Sequence, residues 1–534
     1  MKIYCYIITA AVTLFISQLA GCKKDEVFPD PYEGGQSLLA ISFLNKTPMP
    51  SRGIAGQDMT FYVDGLKMAN AKDIKFLASD LEASIKNITD STITITLPQN
   101  VSSGAASLRV DGQVFQGPNI YIEGKLYRDA TFKSGLGTNG IVYDILRDND
   151  QYIIAGNFSS YNLNSTLGGL AKINSSGEKV DGLTAGNALS AGSISSIIKL
   201  PNSDLMIGGL FSMFDSVSDM NNITLLTGSG SLRTRIVDLY VAPDISDPSY
   251  AKDTVPQFIG NLSGFINKLY YYNNQVTAVG SMSGYSQYFY ERSTKDNKLI
   301  AYSPVISISR MFLNGTLDSN YLFNKADPTK KLTGFNGSIS DSYMQGDGKL
   351  IVVGSFTSFN GTACNRIVRL NVDGSIDQTF RSGLAANESI SSITYNSTTQ
   401  KFIIAGSFTD YNGASINNIA ILNDDGSLDA GFKTTGAFTG GIPTFASQLS
   451  NGLIIVTGGF EKYNNITRKG LMVLNANGSL AVNYNSTGAF NGIAYKMIET
   501  KSGIGGLPAA ILVGYIDTFE GQKCGGIIKL VFGN

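Results

Sequence analysis

GSFTSFNGTACNRIVRLNVDGSIDQTF (354–380), GSFTDYNGASINNIAILNDDGSLDAGF (406–432) and GGFEKYNNITRKGLMVLNANGSLAVNY (458–484) are three versions of one 27-residue phrase. Gly354, Gly406 and Gly458 stand 52 residues apart, and a fixed period of that length marks a repeat architecture. A short apolar run precedes each phrase: KLIVV (349–353), KFIIA (401–405) and LIIVT (453–457). Such β-branched runs suit strands buried on both faces, and periodicity by itself leaves helix open. The turns decide between them. NVDG (371–374), NDDG (423–426) and NANG (475–478) place Asp-Gly or Asn-Gly between two extended runs, where positive φ is needed for a hairpin.

Each period is therefore expected to form four short antiparallel strands. A unit with two apolar faces must be covered on both sides by similar units, as in the blades of a β-propeller. Aligning a glycine with an aromatic residue five positions later gives seven units: Gly156/Tyr161, Gly209/Phe214, Gly280/Tyr285, Gly354/Phe359, Gly406/Tyr411, Gly458/Tyr463 and Gly514/Phe519. The seventh unit ends in GIIKLVF (526–532) without a fourth strand, and the missing segment stands at the start of the repeat region as RDATF (128–132). A strand from there would close the ring and remove its open edge.

The repeats resemble the delta-60 family of bacterial β-propeller repeats, whose pattern of apolar strand, Gly-Ser-Phe, Asn-Gly, Arg-Ile-x-Arg-Leu-Asn and Asp-Gly-Ser-Leu-Asp is best matched over 350–380. Ahead of them, STITITLP (91–98) alternates apolar and polar residues as a half-buried strand does, and 55–65 and 106–112 add two more strands. Their order resembles the immunoglobulin-like TIG/IPT domains of surface lipoproteins. The expected fold class is all-β: an Ig-like β-sandwich followed by a seven-bladed β-propeller closed by an N-terminal strand. Expected boundaries are a signal peptide at 1–21, a tether at 22–37, the Ig-like unit at 38–126 and the propeller at 127–534.

The leader has Lys2, an apolar stretch over 7–16, and LAGC (19–22). It resembles a lipoprotein lipobox, with Cys22 becoming the lipidated first residue. The following KKDE (23–26) resembles the signal that sends lipoproteins of Bacteroidetes to the cell surface. These resemblances imply a lipid-anchored protein of the outer membrane, exposed at the cell surface.

The chain has no histidine, which excludes Ser-His-Asp and Cys-His nucleophile systems and every His-containing zinc site. Neither a P-loop nor a dinucleotide fingerprint is present, and no cofactor or metal is expected. With 41 Lys+Arg against 42 Asp+Glu and no basic run, nucleic acid is not an expected partner. Cys364 and Cys524 fall at one repeat position in units far apart around a ring, so they read as small buried hydrophobes and not as a disulfide. The regular aspartates Asp373, Asp377, Asp425 and Asp429 lie in or beside the hairpin turns and read as turn formers.

Function is sought where the copies differ. Gly209 to Gly280 spans 71 residues and Gly280 to Gly354 spans 74, against 52 in the regular copies. Turn landmarks place one insertion at about 233–261 and the other between strands two and three of unit three. Both emerge on the same face of an antiparallel meander. The second, SGYSQYFYERSTKDN (283–297), is dense in tyrosine, whose flat face and hydroxyl suit sugar rings. The candidate ligand-binding residues are Tyr288 and Tyr290 as platforms, with Arg292 and Asp296 as hydroxyl partners; packing of the long loop onto its blade is the competing role. No residue is nominated as catalytic. The leading reading is a non-enzymatic binder of polysaccharide or oligosaccharide, an accessory of an uptake system with outer-membrane transporter components as further partners. An adhesin or assembly scaffold binding protein through the propeller rim, and a carboxylate-pair glycosidase, are the alternatives.

Overall fold

The computed structural model describes residues 39–66, 72–165, 167–183, 192–241, 246–322, 332–381, 383–434 and 436–533. The leader, Cys22 and the tether lie outside the described residues. Among these the chain is all-β, with two single turns of 3-10 helix.

In the copy that begins at Gly354, Leu350–Gly354 is the middle strand, paired antiparallel with Ile339–Met344 on one side and Ile367–Leu370 on the other. Every residue of the middle strand is buried, as a strand covered on both faces must be. The next two copies repeat this with Lys401–Gly406 and Ile454–Gly458 in the middle. After the NVDG turn, where Gly374 has φ +87°, the chain returns as a single bridge, Leu370 to Ile376, where a fourth strand is expected. Asp377 is the reason. Its carboxylate accepts from the Thr379 amide at 2.9 Å and hydroxyl at 2.6 Å, bending the backbone away from the extended form.

The seven glycines found by alignment have one steric explanation. Opposite each, the first strand of the sheet carries one unpaired residue, a bulge. A Cβ at any of the seven glycines would sit 2.0–2.3 Å from the carbonyl oxygen of a residue in the first strand or immediately before it, which no side chain tolerates. Among the described residues, the sheets that carry these glycines pack successively side by side through their first strands, with Phe490–Lys501 of the last returning to Ile141–Asp148 of the first. Apolar clusters fill the spaces between sheets, such as Ile351 and Val353 with Ile393, Phe402 and Ile404.

Ring closure is also made by hydrogen bonds, since Leu126–Arg128 pairs antiparallel with Ile527–Phe532. The expected closing segment, 128–132, is displaced: only Arg128 belongs to the strand, because Asp129 starts the same bend that Asp377 makes, accepting from Thr131. These aspartates do more than form turns. Asp377 pairs with Lys349 (3.0 Å) and Arg369 (2.8 Å), Asp429 with Lys401 (2.6 Å), and Asp318 with Arg310 (2.8 Å). Asp129 repeats the arrangement across the ends of the ring with Lys529 at 3.3 Å. Asp373 and Asp425 do cap their own turns, accepting from the amides of Ser375 and Ser427.

The N-terminal strands hydrogen-bond in one seven-stranded path that begins at Ser42–Phe43 and ends at Gln113–Ile120, and those two end strands pack beside each other. The result is a nearly closed barrel around Phe61, Phe76, Ile93, Ile95 and Leu108, with a single path of pairing where two separate sheets are expected. It seats on the ring through Ser103, whose amide donates to the Ser486 carbonyl at 2.8 Å, and Lys125, whose amide donates to that of Asn483 at 2.7 Å. Gly124 makes this approach possible: a Cβ there would lie 1.7 Å from Ser486 Oγ.

Candidate functional site

Both insertions fold, and they fold onto each other. The first is a hairpin of Thr234–Asp238 with Lys252–Pro256. In the second, Gln275–Tyr288 runs well past Gly280 and pairs with Gly260–Tyr272 on one side and with Ile300–Ser303 at its far end. The Tyr240 amide donates to the Ser293 carbonyl at 2.9 Å, Arg235 pairs with Glu291 at 2.6 Å, and Lys298 pairs with Asp253 at 2.7 Å. A small apolar core of Val237, Leu239, Val255 and Tyr290 lies between them.

This core corrects the expectation for Tyr290. The residue is 0% exposed, its ring is stacked on Tyr288 with centroids 5.1 Å apart and planes 2° apart, and its hydroxyl has no hydrogen-bond partner among the described residues. It has no free face to offer a ligand and holds the two insertions together. Tyr288 is half-buried, and burial together with nearby Asp219 pushes its hydroxyl pKa upward. Asp219 is itself raised by burial, with Lys298 opposing and Asp253 adding to the shift. Arg292 and Asp296 are exposed; the Arg292 guanidinium lies 5.7 Å from the Phe289 ring centroid.

Two tyrosines outside the candidate set are the better platforms. Tyr302 and Tyr240 are 63% and 57% exposed, the highest values for tyrosine among the described residues, and both belong to the insertions. Tyr302 lies over Gly284, where a Cβ would come 2.4 Å from its ring, and its hydroxyl donates to the Ser283 carbonyl at 3.1 Å. The ring is thus held over backbone while much of it stays open to water. Tyr302 pairs with Ser286 and Ile300 with Tyr288, so alternation puts Tyr302, Ile300 and Tyr288 on one face of the ribbon. The signal for Tyr302 was present in the sequence as the strand IAYS (300–303), just beyond the tyrosine-dense window. Among the described residues no group of three or more Asp, Glu or Cys could hold a metal ion.

A family described as "Domain of unknown function (DUF5122) beta-propeller" matches residues 345–380, 401–432 and 449–480, which fall on the three regular copies. A second, "Domain of unknown function (DUF5008)", matches residues 12–118. No curated protein matches the chain. Similar solved structures include the computationally designed Ika8 protein (9% identity, 87% of this chain and 98% of that one, TM-score 0.36). The WD40 beta propeller domain of Doa1 is 14% identical over 76% of this chain and 96% of its own, with a TM-score of 0.36. An auxiliary nutrient binding protein from Bacteroides thetaiotaomicron is 10% identical over 92% and 97%, with a TM-score of 0.22. At these TM-scores the likenesses bear on neither fold nor ligand.

Proposed function

We propose that the chain is a surface lipoprotein of the outer membrane that binds glycan without transforming it, as an accessory of a polysaccharide uptake system. In this reading Cys22 carries the lipid, the N-terminal TIG/IPT-like unit is a spacer, and a seven-bladed propeller of delta-60 repeats presents the binding face. The observation that supports it best is Tyr302: an open aromatic face, fixed over Gly284 and sharing its side of the ribbon with Tyr288. Sugar rings stack on such faces, with hydroxyls finding polar partners at the edge. Arg292 and Asp296, exposed beside the ribbon, remain the proposed edge partners.

Affinity electrophoresis of the chain from residue 23 onward against a panel of soluble polysaccharides tests this. Retardation by at least one glycan is expected, and Tyr302→Ala should abolish it while Tyr127→Ala, a change at an exposed tyrosine outside the insertions, should not. Retardation by none would sink the proposal in favour of a protein-binding rim, and reducing ends released over time would reveal a glycosidase. Loss of surface labelling in a Cys22→Ser variant checks the anchor.

A further inference from the structure

Arg468 stands ten residues after Gly458, where three of the other six copies have Cys364, Ile416 and Cys524. Those three pack against apolar clusters, so a copy can be built with no charge at this position. Arg468 is nevertheless only 4% exposed. Its Nη1 donates to the carbonyls of Asn100 (3.2 Å) and Thr467 (2.8 Å). Its Nε has no partner, and no carboxylate among the described residues lies within ion-pairing distance. Burial without a counter-charge pushes its pKa down to about 10. A buried cation left in this state is costly unless something else supplies the negative charge.

The place where that charge would come from is open. Arg468 lines a cleft of about 400 Å³ between the N-terminal barrel and the ring, within the range of roughly 300–1,000 Å³ usual for small-molecule sites. Ser486, whose Oγ is also buried without a partner, lines the same cleft, as do Lys125 and the amide-bearing Gln99. Glu123 is at the cleft too but is exposed and makes no ion pair with Arg468. With Nη1 committed, the free edge of the guanidinium is Nε with Nη2, the edge by which Arg233 grips Asp204 in this same chain, at 3.0 and 2.9 Å.

We infer that this cleft binds a carboxylate-bearing small molecule, with the Nε–Nη2 edge of Arg468 taking the carboxylate and Ser486 Oγ donating beside it. The site is separate from the Tyr302 face and does not depend on it.

Isothermal titration of the folded chain with D-galacturonate, succinate and D-galactose tests the inference and separates its sources. Galacturonate without succinate identifies a sugar acid, and both together identify the carboxylate whatever carries it; either result supports the site. Galactose should bind at least about tenfold more weakly, the loss of one charge-assisted hydrogen bond. Arg468→Ile should abolish binding with the unfolding midpoint held or raised, because isoleucine is what another copy uses there. Ser486→Ala removes a hydroxyl that no protein group uses, so it should keep the fold and weaken binding; Tyr515→Ala, at an exposed tyrosine that does not line the cleft, should leave binding unchanged. Binding of galactose as tight as that of galacturonate, binding of neither acid, or binding unaffected by both Arg468→Ile and Ser486→Ala would overturn it.

Discussion

Asp129→Asn tests whether the ring is held shut by charge as well as by strand pairing. Asp129 and Lys529 are 3.3 Å apart with side chains 0% and 3% exposed, and their backbones belong to the two ends of the ring. Asparagine keeps an oxygen to accept from Thr131, so the substitution removes the charge and little else. Among the described residues, Lys529 is then left buried with the Ser175 carbonyl at 3.5 Å and the Phe132 ring at 5.8 Å for company. Stranding one partner of a buried pair costs about 3–5 kcal/mol. Removing Asp517 from its pair with Lys523, whose side chains are 47% and 69% exposed and screened by water, should cost far less. Urea unfolding followed by far-UV circular dichroism measures both. The double variant Asp129→Asn/Lys529→Met, with no charge left to strand, should recover most of the loss. A cost for Asp129→Asn no larger than for Asp517→Asn, or a double variant no more stable than the single, would refute the reasoning.

Acid should unfold the protein in a defined window. Bonds from Thr131 and the charge of Lys529 overcome the burial of Asp129 to hold its carboxyl below the ordinary range, and Asp148, Asp377 and Asp429 are also lowered, each with lysine partners. A depressed carboxyl stabilises fully above its unfolded pKa of about 4, and the contribution fades as pH falls through the lower folded value. With no histidine to titrate, unfolding midpoints should be flat between about pH 5 and 8 and drop below about pH 4; a marked change in the upper window would contradict this. Burial pushes the thiol of Cys364 up to about 11 and raises that of Cys524 as well. Iodoacetamide should therefore modify both far more slowly in the folded chain than in urea, and equal rates would refute the assignment as inert packing groups.

The seven glycines were legible because their constraint is local: a carbonyl lies where a side chain would begin, so every copy must keep the glycine whatever else drifts. The paired roles of Asp377 and Asp129 were not. Both sit in the same short motif, yet one finds Arg369 eight residues back in the same sheet and the other finds Lys529 across the ring. A turn-forming aspartate and a clamping one look alike until the partner is placed. Tyr290 was misassigned for a related reason. Composition located the tyrosine-rich insertion, but which ring faces inward depends on the hairpin at Thr234–Asp238, which covers it. Arg468 shows the converse. Its departure from Cys and Ile is plain in the aligned copies, while its significance appears only when the N-terminal barrel lies over it.

The pairing of Leu126–Arg128 with Ile527–Phe532 also sets a timetable. The two strands that close the ring are made about 400 residues apart, which at about 5–20 residues per second is roughly 20–80 s of synthesis. Throughout that interval the growing ring has an unpaired edge and an apolar flank with nothing against it. The exposure ends only when Val531 and Phe532 reach Tyr127 and Leu126, so a chain cut short before its last strand would keep that sticky edge for good.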